Sequence, residues 1–162
     1  MAISKDGSPS DRIASAFASL KESSTRLNHV SDEIGHSVRT LDSALHSLNL
    51  GIKTWVPCGG WENSDGAFED RFVGYVKVGN KWGIALSVVS GTRGWEEKNH
   101  DEGEWLFNDA PRALRAEAID ALPELVEALV RAADETANNI KAKTDIAREL
   151  AKSVSAVSQT RK

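Results

Sequence analysis

The clearest pattern in the chain is a run of apolar residues at alternating steps of three and four between residues 9 and 51. One column of this pattern holds only leucine or isoleucine: Ile13, Leu20, Leu27, Ile34, Leu41 and Leu48. Such heptad spacing places these side chains along one stripe of a helix and is typical of coiled-coil packing. Ser8 and Pro9 suit a helix start and Gly51 suits its end, so we predict one helix of about 40 residues.

A second helical pattern fills the C-terminal third of the chain. Its apolar or small residues recur at steps of three and four: Leu122, Val126, Leu129, Ala133, Ile140, Ala147, Leu150, Val154 and Val157. Pro123 either starts this helix or bends a longer one that begins near Asp109. Leu114, Ala118 and Leu122 keep helical spacing up to the proline, which favours the bent helix.

The two predicted helices are similar in length and flank a compact middle segment. A helix roughly 60 Å long cannot be buried inside a chain of this size, so it must pack against another long helix. The simplest arrangement is an antiparallel, coiled-coil-like pair. A bare pair leaves its apolar stripes half covered, so we expect a homo-oligomer whose seam is the leucine and isoleucine column.

The middle segment shows the two-residue alternation of β-strands. Residues 72–78 and 81–89 are strand-like, and Gly79-Asn80 between them is a two-residue hairpin turn. This turn sets the register, with Lys77 opposite Trp82, Tyr75 opposite Ile84 and Val73 opposite Leu86 on the face expected to form the core. The other face pairs Gly74 with Ala85 and Val76 with Gly83, a shallow surface that a helix or ligand can approach.

Shorter strands at residues 53–56 and 104–107 complete a small antiparallel sheet of three to four strands. The predicted fold class is therefore α+β, with two long helices flanking this sheet. We divide the chain into an N-terminal helical stalk (residues 1–51), a tryptophan-rich β head (52–108) and a kinked C-terminal stalk helix (109–162).

Composition excludes several classes of protein. The net charge of −4 gives no reason to expect nucleic acid or an acidic membrane as partner, and acidic groups outnumber basic ones by ten to six in residues 51–110. One cysteine excludes an internal disulfide framework and suits a reducing compartment. Residues 1–12 lack the apolar core of a signal peptide, so we expect a cytoplasmic protein without a membrane anchor.

Cys58 is the one candidate nucleophile that the sequence offers. His100 as base and Asp101 or Glu102 as its orienting acid would complete a triad, but no local signature surrounds the cysteine. Its neighbours include no lysine or arginine that would lower the thiol pKa. The favoured interpretation is an incidental cysteine in a turn formed with Pro57 and the glycines at 59–60, and no catalytic residue is predicted.

Metal and cofactor sites are also not predicted. Residues 61–72 resemble a calcium loop at Asn63, Asp65 and Gly66, but Trp61 and Phe72 stand where the first and the bidentate ligands belong. The helical histidines are too widely spaced to share a metal within one chain. No phosphate-binding glycine motif is present.

All five tryptophans lie between residues 55 and 105. Trp82 and Trp105 follow strand alternation, so we expect them to be buried. Trp61 and Trp95 lie in polar, acidic segments, where they either close the edge of a small core or form a recognition surface. The predicted binding residues are Trp61, Asp65, Trp95, Glu96 and Glu97.

These observations favour a non-enzymatic interaction or scaffold protein, in which the helical stalk presents an acidic, tryptophan-bearing head. The expected partner is another protein with a basic surface. One alternative is a small inhibitor or immunity-type protein that blocks such a surface. The other is an enzyme or redox sensor centred on Cys58.

Overall fold

A computed structural model describes residues 8–94 and 98–159. The fold is α+β, with helices and a four-stranded antiparallel sheet. The elements are α1 (Pro9–Ser47), β1 (Thr54–Glu62), β2 (Ala67–Val78), β3 (Lys81–Thr92), β4 (Lys98–Leu106), α2 (Arg112–Ala118) and α3 (Leu122–Gln159). Two 3₁₀ turns, Phe107–Asp109 and Ile119–Ala121, precede and follow α2.

Helix α1 begins where the sequence predicts. The Ser8 hydroxyl accepts a hydrogen bond from the Asp11 backbone N–H (3.2 Å) and donates one to the Asp11 carboxylate (2.7 Å). The first of these bonds satisfies a backbone donor of the first turn. The helix ends at Ser47, earlier than predicted, because Asn49 already adopts a left-handed conformation with φ of 49°.

The chain forms two compact units, Met1–Ala44 and Leu45–Lys162. The first contains most of α1, and the second contains the sheet, α2 and α3. The division into stalk and head at residues 51 and 108 stays a prediction.

The sheet is a meander in the order β1-β2-β3-β4. The predicted hairpin between β2 and β3 is confirmed, including its register: Val73 lies opposite Leu86 and Tyr75 opposite Ile84. The two-residue turn explains this agreement, because Gly79 takes the left-handed conformation (φ 58°) that such a turn requires.

The outer strands are longer than predicted. β1 continues through the expected turn at 57–60 and ends at Glu62, while β4 begins at Lys98. A β-bulge between Pro57 and Gly59 leaves Cys58 without a partner in β2, and the strand then resumes. The proline and glycines therefore belong to a bulged edge strand, where such residues are tolerated, and the prediction of a turn at this point is wrong.

The region after the sheet continues in helical backbone conformation from α2 into α3, and the kinked helix over residues 109–162 stays a prediction. α2 ends at Ala118, and the Ile119–Ala121 turn leads into α3. Pro123 is the second residue of α3, where its missing N–H costs nothing.

The core of the second unit lies between the sheet, α2 and the first turns of α3. The heavy face of the hairpin is buried as predicted, through Val73, Tyr75, Ile84 and Leu86. Helical residues of the same core are Leu114, Ala118, Leu125 and Leu129. The shallow face is also buried at Val76 and Ala85, and the Trp55 ring lies over Gly74 on that face.

Candidate binding surfaces of the sheet and the helices

Trp61 is the most exposed of the tryptophans whose side chains the structure describes. It lies near the end of the edge strand β1, opposite Glu69 of β2, and 49% of its surface is accessible. Trp82 and Trp105, which the sequence predicts to be buried, are partly buried, and the Trp82 ring stacks on Tyr75 with centroids 5.7 Å apart. Trp61 therefore has the accessibility that a recognition residue needs.

The segment that resembles a calcium loop is a hairpin turn between β1 and β2. The Asn63 side-chain oxygen accepts hydrogen bonds from the backbone N–H of Asp65 (3.0 Å) and of Ala67 (2.9 Å). Asp65 is exposed at the tip of this turn. In the part of the chain that the structure describes, no group of three or more acidic, histidine or cysteine side chains is arranged to hold a metal ion.

Arg93 pairs with two carboxylates near the β1–β2 turn. Its guanidinium lies 3.3 Å from a Glu62 oxygen and 3.6 Å from an Asp70 oxygen, and it stacks over the Phe68 ring at 4.6 Å from the centroid. One positive group thus offsets part of the negative charge of Glu62 and Asp70, which the register places on the face of the sheet opposite to that of Trp61.

Three of the predicted binding residues, Trp95, Glu96 and Glu97, lie outside the described residues. The backbone of His100 is described and belongs to β4, opposite Ser90 of β3. Cys58 belongs to β1, at the other edge of the sheet. Three interstrand spacings separate these strands, about 14 Å, so the sheet does not bring the Cys58 and His100 backbones together.

Cys58 has a different set of neighbours. Burial raises the pKa of its thiol to about 11, and the Glu117 carboxylate raises it by more than the Arg71 guanidinium lowers it. A thiol with such a pKa is protonated at neutral pH, which is the opposite of what a nucleophilic cysteine requires. This electrostatic environment argues against the Cys58-centred enzyme or sensor.

Glu117 and Arg71 form an ion pair between α2 and β2. Arg71 Nη1 donates to Glu117 Oε2 at 2.6 Å, and Arg71 Nε donates to Glu69 Oε1 at 2.7 Å. These bonds raise the pKa of Arg71 above its ordinary value. The absence of a side chain at Gly59 makes room for Glu117, since a Cβ there would overlap its carboxylate.

Beside this ion pair, a groove of about 330 Å³ separates the sheet from α2. We call it the sheet–α2 groove. Its lining residues are Glu69, Arg71, Val88, Trp105, Pro111, Ala113, Leu114 and Glu117. Apolar side chains thus form most of the walls, and the three charged groups lie together among them.

The predicted helical seam is accessible along much of α1. Ile13, Leu20 and Leu27 are 70%, 61% and 51% exposed. Leu48 is also exposed, but it lies beyond the end of α1 at Ser47, so its prediction as a helical seam residue is wrong. Ile34 and Leu41 are partly buried. On α3 the exposed large apolar residues are Val130, Ile140, Ile146, Leu150, Val154 and Val157. Both long helices thus carry large apolar side chains that are exposed among the described residues.

None of the described helices contains a stretch apolar and long enough to cross a lipid bilayer. Comparisons with protein-family models, with curated proteins and with solved structures found no match to this chain. Inferences about function therefore rest on the surfaces described above.

No pattern of spacing in the sequence indicates the sheet–α2 groove. Arg71 and Glu117 are 46 positions apart, and no spacing in the chain links them. Trp105 was expected in the core, although its ring lines this groove. The sequence gives one indication of this groove, which is Arg71. In the β2–β3 register, Arg71 lies on the same face of the sheet as the core residues.

Proposed function

We propose that this protein is a non-enzymatic protein–protein interaction protein. Two or more copies associate through the apolar stripes of α1 and α3, which pack as antiparallel, coiled-coil-like helices in the assembly. The β head then presents Trp61 and its polar surroundings to another protein with a basic surface.

The observation that carries this proposal is the exposure of the apolar stripes. Soluble monomers rarely leave contiguous rows of large apolar side chains in water, and such rows mark interaction surfaces. Residues 137–158 of α3 are all exposed, and residues 9–30 of α1 nearly all are. Both stretches are about 33 Å long, so the stripe of a helix in one copy matches in length the stripe of a helix in another copy.

A second copy is the occupant because the stripe repeats every seven residues, the signature of helices that pack on helices like themselves. Small residues such as Ser24 and Ser31 accompany the leucines of α1 and permit close approach of two helix axes. Both stretches also carry charges of both signs outside the stripe, which keeps the remaining surface polar.

Light scattering after size-exclusion chromatography tests the self-association. The wild type is expected to have at least twice the mass of one 17.6 kDa chain. The double variant Leu20→Gln, Leu27→Gln is expected to approach the single-chain mass, because it interrupts the stripe with residues of similar helix propensity. The control Glu22→Gln, Arg26→Gln changes exposed positions off the stripe and should keep the wild-type mass. A wild type that is monomeric at all concentrations contradicts the proposal.

Pull-downs with the wild type, Trp61→Ala and Trp95→Ala test the role of the head. Loss of a bound protein in a variant that keeps its circular dichroism spectrum supports recognition through these rings. Variants that fold and retain every bound protein show that the head does not recognise the partner.

A further inference from the structure

We propose that the sheet–α2 groove binds an arginine side chain of the basic partner protein. This inference rests on the proposed interaction function and adds to it the place and the chemistry of recognition. The occupant follows from three properties of the groove: its charge, the state of its carboxylates and its aromatic wall.

The charged groups of the groove leave an excess of one negative charge. Glu69 and Glu117 both bind Arg71, so two carboxylates share a single guanidinium. A groove of this sign attracts a cationic group and disfavours an anionic one.

The two carboxylates retain acceptor capacity. Arg71 binds Oε1 of Glu69 and Oε2 of Glu117, and each carboxylate has a second oxygen with lone pairs of its own. Both side chains remain partly accessible, at 23% and 35%. Each can therefore accept a charge-assisted hydrogen bond from an incoming donor without releasing Arg71.

The walls suit the rest of an arginine side chain. Trp105 packs its ring against the backbone of Gly103, where a Cβ would overlap it, and lines the groove with Val88 and Leu114. A guanidinium stacks on an indole ring, and its aliphatic stem packs on branched apolar side chains. Arginine is favoured over lysine because the planar guanidinium combines stacking with several directed donors.

An NMR titration with N-acetyl-arginine amide at constant ionic strength tests this proposal. The Trp105 indole N–H resonance, assigned with Trp105→Phe, is expected to shift in a saturable manner. The neutral isostere N-acetyl-citrulline amide should produce no saturable shift. N-acetyl-lysine amide should bind more weakly than the arginine probe, and equal or tighter binding overturns the preference for a guanidinium.

Two matched variants on α2 localise the binding without disturbing the ion pair. Ala113→Lys places a cation in the groove. The affinity for the arginine probe is expected to fall about fivefold, because one partly exposed charge contact changes a binding free energy by about this factor. Ala116→Lys adds the same charge at an exposed position of the same helix that does not line the groove, and should bind as the wild type. Equal affinity in Ala113→Lys and the wild type overturns the site.

Failure of this proposal and failure of the proposed function are distinguishable. The probe is a single amino acid, so its binding to the groove does not require self-association through the helices. Saturable arginine binding by a monomeric wild type supports the groove and contradicts the assembly. An oligomer whose Trp105 resonance does not respond to the probe overturns the groove alone.

Discussion

Arg71 of β2 and Glu117 of α2 are joined by a 2.6 Å contact between Nη1 and Oε2, which ties the short helix to the sheet. Both side chains are partly shielded from water, at 29% and 35% exposure, and Glu69 holds the same guanidinium from the other side. Partial burial and a shared partner distinguish this contact from the exposed ion pairs of α3, because solvent screens it less.

We therefore expect Glu117→Gln to lower the free energy of unfolding by about 1 kcal/mol, measured by urea denaturation. The control is Glu149→Gln on α3, which removes an exposed i,i+3 contact to Lys152 and should cost less than about 0.5 kcal/mol. Equal costs for the two substitutions would show that the Arg71 pair contributes no more than a surface contact.

Alkylation of Cys58 by iodoacetamide should report how burial and the Arg71–Glu117 ion pair affect the pKa of this thiol. Because the pKa of this thiol is raised to about 11, the reaction rate is expected to keep rising well above pH 9. Glu117→Gln removes one cause of the raised pKa, so it should speed labelling at a given pH, while Asp65→Asn should not. A titration midpoint near 9.0, the ordinary value, would contradict this environment.

The same pKa predicts how stability depends on pH. The folded protein holds the thiol proton more tightly than the unfolded chain does, so this group favours folding below pH 9.0 and its contribution is lost between 9.0 and about 11. Cys58→Ser should flatten the fall in unfolding free energy across this range. An unchanged profile in the variant would assign the fall to other groups.

Gly74 in the middle of β2 is expected to tolerate a side chain poorly. A Cβ at this position would overlap the Trp55 ring and lie 2.6 Å from the Thr54 carbonyl oxygen. We expect Gly74→Ala to cost about 2 kcal/mol and to alter the near-ultraviolet circular dichroism of the tryptophans. Gly94→Ala, where a Cβ has no neighbour within 4 Å, should stay within about 0.5 kcal/mol of the wild type. Equal costs would contradict the close packing of Trp55 on Gly74.

The elements that the sequence predicts well are those set by local rules. The Gly79-Asn80 turn defines the β2–β3 register, and the heptad column defines the stripe of α1. β1 is the opposite case, since its proline and glycines resemble a turn although the pairing with β2 continues past the bulge at Cys58. Strand pairing depends on the partner strand, which local composition does not reveal.

The groove could not be predicted for a related reason. Glu69, two residues before Arg71, accounts for one partner of this arginine, but the second partner, Glu117, arrives from α2. The exposure of Trp61 also depends on β1 being an edge strand. The heptad pattern, by contrast, identifies the apolar residues but does not state which chain covers them.

Leu125 and Leu150 of α3 provide the sharpest comparison between core and assembly. Leu125 is fully buried against the rest of the second unit, whereas Leu150 is 64% exposed. In dilute protein, Leu125→Ala is expected to lower the free energy of unfolding by about 3 kcal/mol, and Leu150→Ala by less than about 0.5 kcal/mol. Thermal unfolding at several protein concentrations measures both effects.

At high protein concentration the two variants should behave differently. Association stabilises the folded chain by mass action, so the wild-type melting temperature is expected to rise with concentration. Leu150→Ala should reduce this rise because it removes part of the apolar stripe, and Leu125→Ala should lower the melting temperature by a similar amount at every concentration. A wild-type melting temperature that does not change with concentration would show that no second copy covers the stripe. A large loss for Leu150→Ala in dilute protein would instead place this leucine in the core of a single chain.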